Sequence, residues 1–331
     1  MTLHQSTVLK GVALLFMLYL HLFMSLENVA LCHTCIEVDG IPLIILLTRL
    51  TNPVPFYIML SGYGLYVSYS NGRKNNIKRV YKLYIHYWIT IAVFVTLGCW
   101  VVGGSGYPGN LGILLGNLSG ISHSYNNETW FLFPYVLLVL SSTFIFRLSD
   151  RMNPVILLFF SVVLYLTTAL IRHFYLDYVI THMWIYHPIR FFNLLFPFII
   201  GMIICKYGLI LKIRTIYKGK FFFLILVICL LRLCISTGIF NPLYAGIFIL
   251  LFVQLRLPGW LDNFLFCVGK RSTSMWLIHS YFCFYLFHDF IYGAYYPILI
   301  YALLFICSYI SAMVIDSINV RINKVLASVN R

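Results

Sequence analysis

The sequence predicts an all-α integral membrane protein whose chain crosses the bilayer about ten times. Hydrophobic residues make up 61% of the 331 residues and charged residues only 10%, with a mean hydropathy of +0.91. A water-soluble fold could not bury that much apolar surface. The apolar runs continue for about 17–22 residues, the length of a transmembrane helix. They lack the alternation of a β-barrel strand.

Ten apolar segments are expected to span the membrane as helices. Lipid offers the backbone no hydrogen-bond partners, so only helices and closed barrels can cross it. The predicted spans cover 8–25, 42–70, 83–103, 129–147, 154–172, 188–206, 220–237, 241–255, 272–290 and 297–318. An even number of spans puts both termini on one side of the membrane.

Basic residues are distributed unevenly between the two sides that this arrangement defines. One side carries most lysines and arginines, including those of the segment 73–82 and of the C-terminal tail. The other side or its vicinity holds most of the acidic residues and four arginines, Arg49, Arg172, Arg190 and Arg232. The positive-inside rule therefore predicts cytoplasmic termini. The rule also explains most of the net charge of +14 without a nucleic-acid partner.

The chain is expected to form one transmembrane domain over residues 1–331, with no attached soluble domain. Its first apolar run lacks a small-residue cleavage site, so we interpret this run as a retained helix rather than a signal peptide. Cys32 and Cys35 form a C-x-x-C motif around His33 in an external loop. Because no second C-x-x-C follows, the motif is weak evidence for a disulfide, a redox pair or a metal site, and we expect no metal.

Lys10 and His21 are the first pair of residues that indicate chemistry. They are eleven positions apart, about three helical turns or roughly 16 Å, and fall within about 20° of the same helical face. Ionisable groups at membrane depth are costly and usually face a cavity or one another. A neutral imidazole there suits a general base or a nucleophile. An interfacial histidine that is hydrogen-bonded to a neighbour is the structural alternative.

A basic segment, "NGRKNNIKRVYKLYIHYW", leads into the third predicted span. Its five cations are Arg73, Lys74, Lys78, Arg79 and Lys82. Arg79 and Lys82 are three apart and share a helical face. Cations clustered at a helix start can hold phosphate groups. The same cluster also serves as a topology signal or a contact for anionic lipid.

Other candidate residues lie in apolar segments or at their ends. In the second span, "PFYIMLSGYGL" combines Ser61 with Gly62 and Gly64. Small residues of this kind allow either another helix or a ligand to approach the backbone closely. Later segments contribute the candidate substrate-binding residues Glu128, Trp130, Arg190 and His279.

Taken together, these segments resemble the acyltransferase-3 family, membrane enzymes that O-acylate carbohydrates of the cell envelope. Lys10 and His21 resemble the family's pattern of a basic residue, a ten-residue gap and a histidine. "PFYIMLSGYGL" and "KRVYKLYIHYW" resemble the motifs of the second and third helices. "WFLFPYVLL", "RFFNLLFPFIIGM" and "STSMWLIHSYF" match later landmarks in order. Lysine replaces arginine at positions 10 and 82 and lacks the planar fork for bidentate phosphate contacts.

The resemblance implies a cytoplasmic acyl-CoA donor, usually acetyl-CoA, and a carbohydrate acceptor on the other side of the inner or plasma membrane. It assigns catalysis to His21 and Lys10, and we add Ser61 as a donor to the developing oxyanion. Arg79, Lys82, Lys78 and Arg73 would bind the nucleotide phosphates, with Lys10 as a further contact. His21 would act either as a general base or as an acyl carrier. A transporter or flippase for a lipid-linked sugar or anion is the main alternative, and a non-catalytic scaffold is another.

Overall fold

A computed structural model describes residues 1–34, 36–73, 75–103, 106–216 and 219–329. Helices dominate these ranges. They are α1 Leu3–Phe23, α2 Leu26–Ala30, α3 Leu43–Leu47, α4 Val54–Ser70, α5 Asn76–Val101, α6 Leu111–Ser119, α7 Leu132–Arg151, α8 Pro154–Phe174, α9 Leu176–Thr181, α10 Met183–Lys206, α11 Leu209–Ile216, α12 Phe221–Cys234, α13 Asn241–Phe252, α14 Gly259–Lys270, α15 Ser272–Ser280, α16 His288–Tyr292 and α17 Pro297–Val329. Two short antiparallel strands, β1 Glu37–Val38 and β2 Ile41–Pro42, pair Glu37 with Pro42 and Val38 with Ile41.

Seven helical segments in the described ranges are long and apolar enough to cross a membrane. They are Leu3–Phe23, Leu43–Ser70, Asn76–Val101, Asn127–Arg151, Pro154–Phe174, Met183–Lys206 and Pro297–Val325. These segments confirm the predicted class, an all-α polytopic membrane protein, and match the first six predicted spans and the tenth. The total of ten spans and the side of the membrane on which the termini lie remain predictions.

The other three predicted spans are shorter or interrupted. Phe221–Cys234 and Gly238–Phe252 are apolar helices of fewer than 18 residues. The ninth predicted span, 272–290, begins with α15, passes through a π-helical turn at Tyr281–Tyr285 and ends in α16. π-helical turns are frequent at functional sites, and this one begins two residues after His279.

Helix α1 is the most buried of the seven long segments. A capping box starts it: the Thr2 side chain accepts a hydrogen bond from the Gln5 backbone, and the Gln5 side chain accepts one from the Thr2 backbone. These contacts satisfy two of the free N–H groups at the helix start. The helix then packs against α4, α14, α15 and α17. Its central position brings Lys10 and His21 into the interior of the bundle.

Glycines allow two pairs of helices to approach at backbone distance. A Cβ added to Gly62 of α4 would lie 2.2 Å from the Phe198 oxygen, and one added to Gly201 of α10 would lie 2.1 Å from the Met59 oxygen. Gly11 of α1 and Gly269 of α14 form a second crossing of the same kind. The small residues predicted for the second span therefore serve helix packing at Gly62, whereas the neighbouring Ser61 lines a cavity.

The antiparallel helices define two ends of the bundle. At one end, Lys206 of α10 forms an ion pair with Asp150 of α7 at 2.9 Å, and Tyr69 of α4 donates to the same carboxylate. At the other end, the Asn127 backbone donates to the hydroxyl of Tyr285 at 2.8 Å. We call these the Lys206 end and the Asn127 end.

Candidate active site

A cavity of about 950 Å³ runs through the bundle between its two ends. Ser68 and Arg79 line it near the Lys206 end, and His123 and Asn127 line it at the Asn127 end. Its middle is lined by side chains of α1, α4 and α7, including Tyr57, Ser61 and Tyr135. The volume lies within the range typical of small-molecule sites. The cavity is therefore large enough for a substrate and is continuous along the axis of α1.

His21 lines this cavity toward its Asn127 end and is only 9% exposed. Its Nδ1 atom lies 2.5 Å from Nε2 of His279, and the planes of the two rings are nearly parallel, 14° apart. The Nδ1 atom of His279 lies 2.8 Å from the Trp276 carbonyl and 3.2 Å from the Met275 carbonyl. Carbonyl oxygens only accept, so this nitrogen must be the donor.

The hydrogen bonds assign the tautomers of both neutral histidines. Because Nδ1 of His279 carries a proton, its Nε2 is an acceptor, and Nδ1 of His21 must donate to it. The lone pair of His21 is therefore on Nε2. That atom lies 3.2 Å from a carboxyl oxygen of Glu128. Because both atoms are acceptors in this form, they form a hydrogen bond only when His21 gains a second proton or Glu128 is protonated. The arrangement presents a basic nitrogen in the cavity wall, oriented by a second histidine that is fully buried behind it.

Glu128 is held in place through its backbone. The side chain of Asn126 accepts a hydrogen bond from the Glu128 N–H at 3.0 Å, and the Trp276 indole donates to the Glu128 carbonyl at 3.3 Å. Asn126 is itself buried and bonded to α15, donating to the Leu277 carbonyl and accepting from Ser280. These contacts connect the start of α7 to the helix that carries His279. The carboxylate and the histidine pair are therefore positioned by one network.

The structure brings some of the predicted site residues to the cavity and leaves others outside. Lys10, Ser61 and Arg79 line it, with Ser61 donating to the Tyr135 hydroxyl at 3.2 Å and Arg79 to the Ser68 hydroxyl at 2.6 Å. The other predicted phosphate-binding residues are exposed and do not line it: Arg73, Lys78 and Lys82. Glu128, Trp130 and Arg190 line it. His279, grouped in the sequence with substrate-binding residues, lies behind His21.

Aromatic rings hold Arg190 at the Asn127 end of the cavity. Its guanidinium carbon lies 4.3 Å from the centre of the Trp130 ring and 4.9 Å from that of Tyr186. His123, in the loop before Asn126, is close by. Burial and the nearby His187 and Arg190 lower the pKa of His123 to about 4. At neutral pH the local positive charge therefore comes from arginine and not from this histidine.

Several contributors to the site were not identified from the sequence. They include Asn126, Tyr57, Tyr135, Arg172, Tyr186 and Trp276. Asn126 did carry a local signal, because an asparagine directly before a helix start is a common N-cap and its side chain caps the turn at Asn127–Phe131. The contact between His21 and His279 had no such signal in the sequence.

The cysteine motif is separate from this site. The Cys32 thiol is buried and donates to the Asn28 carbonyl at 3.4 Å, while Cys35 lies outside the described residues. Within the described ranges, no group of three or more His, Cys, Asp or Glu side chains has the arrangement of a metal site.

Comparison with known proteins identifies the family of the chain. A family model described as an acyltransferase domain matches residues 3–316, nearly the whole chain. Neither the curated proteins nor the solved structures that were compared contain a match. The matched range includes both histidines, Glu128 and every cavity residue named above.

Proposed function

The chain belongs to this membrane acyltransferase family, and we propose that it transfers an acetyl group from cytoplasmic acetyl-CoA to a hydroxyl of an envelope polysaccharide or a lipid-linked sugar. The position of Nε2 of His21, beside Glu128 in the wall of a cavity that runs between both ends of the bundle, is the observation that carries this proposal. The enzyme acts in the inner or plasma membrane. Its donor and acceptor enter from opposite ends.

The donor enters at the Lys206 end, where the cavity wall is basic. Arg79 and Lys10 line the cavity and would hold the nucleotide phosphates, with guanidinium able to bind two oxygens at once. The distance from Lys10 to His21, roughly 16 Å along α1, suits an extended pantetheine arm that ends in the thioester. Tyr57, Ser61 and Tyr135 line the part of the cavity through which the arm would pass.

His21 then acts on the acceptor in one of two ways. As a general base, Nε2 takes the hydroxyl proton while the oxygen attacks the thioester carbonyl, the C–S bond breaks and CoA leaves as the thiol after taking up that proton. As a nucleophile, Nε2 attacks the thioester carbonyl, the C–S bond breaks and CoA leaves as the thiolate. The hydroxyl oxygen then attacks the acyl-imidazole, the acyl C–N bond breaks, and Glu128 takes the hydroxyl proton and passes it to the thiolate. In both routes His279 keeps the Nδ1 proton of His21 in place.

The experiment that tests the proposal compares wild type with His21→Ala in cells that lack the gene. Mass spectrometry measures the O-acetyl content of the envelope glycan, and purified protein is assayed for transfer or hydrolysis of acetyl-CoA. His21→Ala should lower turnover by about 10²–10⁴-fold, as for other general acid–base residues. His182→Ala is the matched control, because His182 is also at the Asn127 end but does not line the cavity that contains His21.

Two results would overturn the proposal. The first is equal acetylation by wild type, His21→Ala and empty vector. The second is uptake of a solute or flipping of a lipid-linked sugar by purified protein that neither transfers nor hydrolyses acetyl-CoA, which would instead support a transporter.

A further inference from the structure

Two arginines at the Asn127 end line two cavities, one of which contains His21. Arg172, in the last turn of α8, and Arg190, near the start of α10, also line a second cavity of about 450 Å³. The two cavities thus meet at this arginine pair. Among the residues that the structure describes, neither arginine forms an ion pair with a carboxylate.

The local charge leaves one cation uncompensated. Glu128 is the only carboxylate in the described lining of either cavity, and it contacts His21 at 3.2 Å. It is close enough to Arg190 for their charges to interact, but the pair of arginines carries two positive charges against this single negative one. Arg172 and Arg190 also repel each other. Two close guanidinium groups without matching carboxylates are a common arrangement for binding an oxyanion.

The geometry of Arg190 favours a bound ligand over a surface role. Its guanidinium lies over the rings of Trp130 and Tyr186, and these cation–π contacts hold the group in the cavity wall. Its Nε atom is buried and has no hydrogen-bond partner among the described residues. Leaving such a donor unpaired is unfavourable, so a ligand that accepts from this nitrogen would stabilise the site.

The second cavity has the character of a sugar site. Asn52, Asn193 and Thr237 supply polar groups to its wall, and Pro55 and Pro242 supply apolar surface. Amide and hydroxyl groups can both donate to and accept from sugar hydroxyls. A saccharide in this cavity would lie on the far side of the arginine pair from His21.

We propose that the acceptor carries an anionic group, a phosphate or a carboxylate, which Arg172 and Arg190 bind between the two cavities. A neighbouring sugar unit occupies the second cavity, and the hydroxyl to be acylated projects toward Nε2 of His21. This inference rests on the proposed acyltransferase function, since it assigns a substrate class to the same site. Two sources supply the same chemistry: the phosphate of a lipid carrier, or the carboxylate of an acidic sugar.

A binding experiment tests the anion site without requiring turnover. Purified protein in detergent, with CoA present at saturating concentration to fill the donor end, is titrated with inorganic pyrophosphate, methyl glucuronide or methyl glucoside. Binding is measured by calorimetry and by the shift in Tm. Wild type should bind at least one of the two anions and not the neutral glucoside. Arg172→Gln should weaken that binding roughly 10-fold or more, as expected for loss of a charge-assisted hydrogen bond.

Matched variants separate a site-specific effect from loss of charge or of folding. Arg49→Gln removes a cation predicted to lie on the same side of the membrane, where Arg49 donates to the Leu233 carbonyl and lines neither cavity; binding should be unchanged. Arg172→Lys keeps the charge without the planar fork and should bind with intermediate strength. Equal binding of the anions by wild type and Arg172→Gln, or no anion binding by folded wild type, would overturn the inference.

A transfer assay then identifies the source of the anion. The acceptors are a glucuronate-containing oligosaccharide, its carboxyl-reduced neutral form, and a polyprenyl-pyrophosphate-linked form of that neutral oligosaccharide. Arg172→Gln should lower kcat/KM roughly 10-fold or more for an anionic acceptor and much less for the neutral oligosaccharide. An equal effect on anionic and neutral acceptors would contradict the inference while the proposed function survives. Absence of both transfer and hydrolysis in wild type would instead count against the proposed function.

Discussion

Replacing His279 tests whether this second histidine holds His21 in the tautomer that leaves Nε2 free. His279→Phe keeps an aromatic ring at a fully buried position but removes the acceptor for the Nδ1–H of His21. Leaving a buried donor unpaired costs about 1–3 kcal/mol. His21 can reduce that cost by moving its proton to Nε2, where Glu128 accepts it. In that form Nε2 carries a proton and can act neither as base nor as nucleophile, so kcat should fall roughly 5- to 150-fold.

The assay measures initial rates of acetyl transfer over a range of acetyl-CoA concentrations. KM for acetyl-CoA should stay unchanged, because His279 does not line the cavity. His279→Gln is the informative partner variant, since its amide oxygen can take the place of Nε2 as acceptor. We expect it to recover most of the lost kcat. Membrane level and Tm are compared across the three proteins, so that a loss of folded protein is not counted as a loss of turnover.

Two outcomes would refute this reasoning. If His279→Phe turns over at the wild-type rate, the hydrogen bond between the histidines does not determine the active tautomer. If the Phe and Gln variants lose the same amount of kcat, the acceptor atom is irrelevant and His279 contributes only packing.

Three further predictions address the rest of the site and its support. Glu128→Gln keeps the shape of the side chain but removes its charge, and should lower kcat for transfer about 10²–10⁴-fold with unchanged CoA affinity by calorimetry. Arg79→Gln should raise KM for acetyl-CoA roughly 10-fold, whereas Lys82→Gln, which is exposed outside the cavity, should leave it unchanged. Gly62→Ala would place a Cβ 2.2 Å from a backbone oxygen of α10 and should lower stability by about 1–3 kcal/mol or more. Gly64→Ala meets nothing within 4 Å, so its Tm in a thermal-unfolding assay should equal or exceed that of wild type.

The fold class was predictable because it depends on composition and on the length of apolar runs. Both are properties of the sequence alone, and seven of the predicted spans appear as long helices. The interruption after α15 was not predictable in this way. Residues Tyr281–Tyr285 are apolar or aromatic throughout, so hydropathy does not distinguish a π-helical turn from a continuous helix.

The site was predictable only where one helix supplies the information. Lys10 and His21 share a face of α1, and helical periodicity is sufficient to place both toward one cavity. His21 and His279 are separated by 258 positions, and their contact depends on how α1 packs against α15. The same limit applies to Arg172 and Arg190, which lie on neighbouring helices. Spacing along the chain therefore identified single side chains but not their partners.

The distribution of charge along the cavity gives one physical account of both proposals. Cations line each end, Lys10 and Arg79 toward the Lys206 end and Arg172 and Arg190 toward the Asn127 end, and Nε2 of His21 lies beside Glu128 near the second pair. A donor with phosphate groups and an acceptor with an anionic group would each be anchored at its own end. Neither anion would then have to pass the apolar middle of the bundle, where a charge is costly. Only the uncharged acetyl group would move between them, which is why a base is needed at His21 and not a continuous charged path.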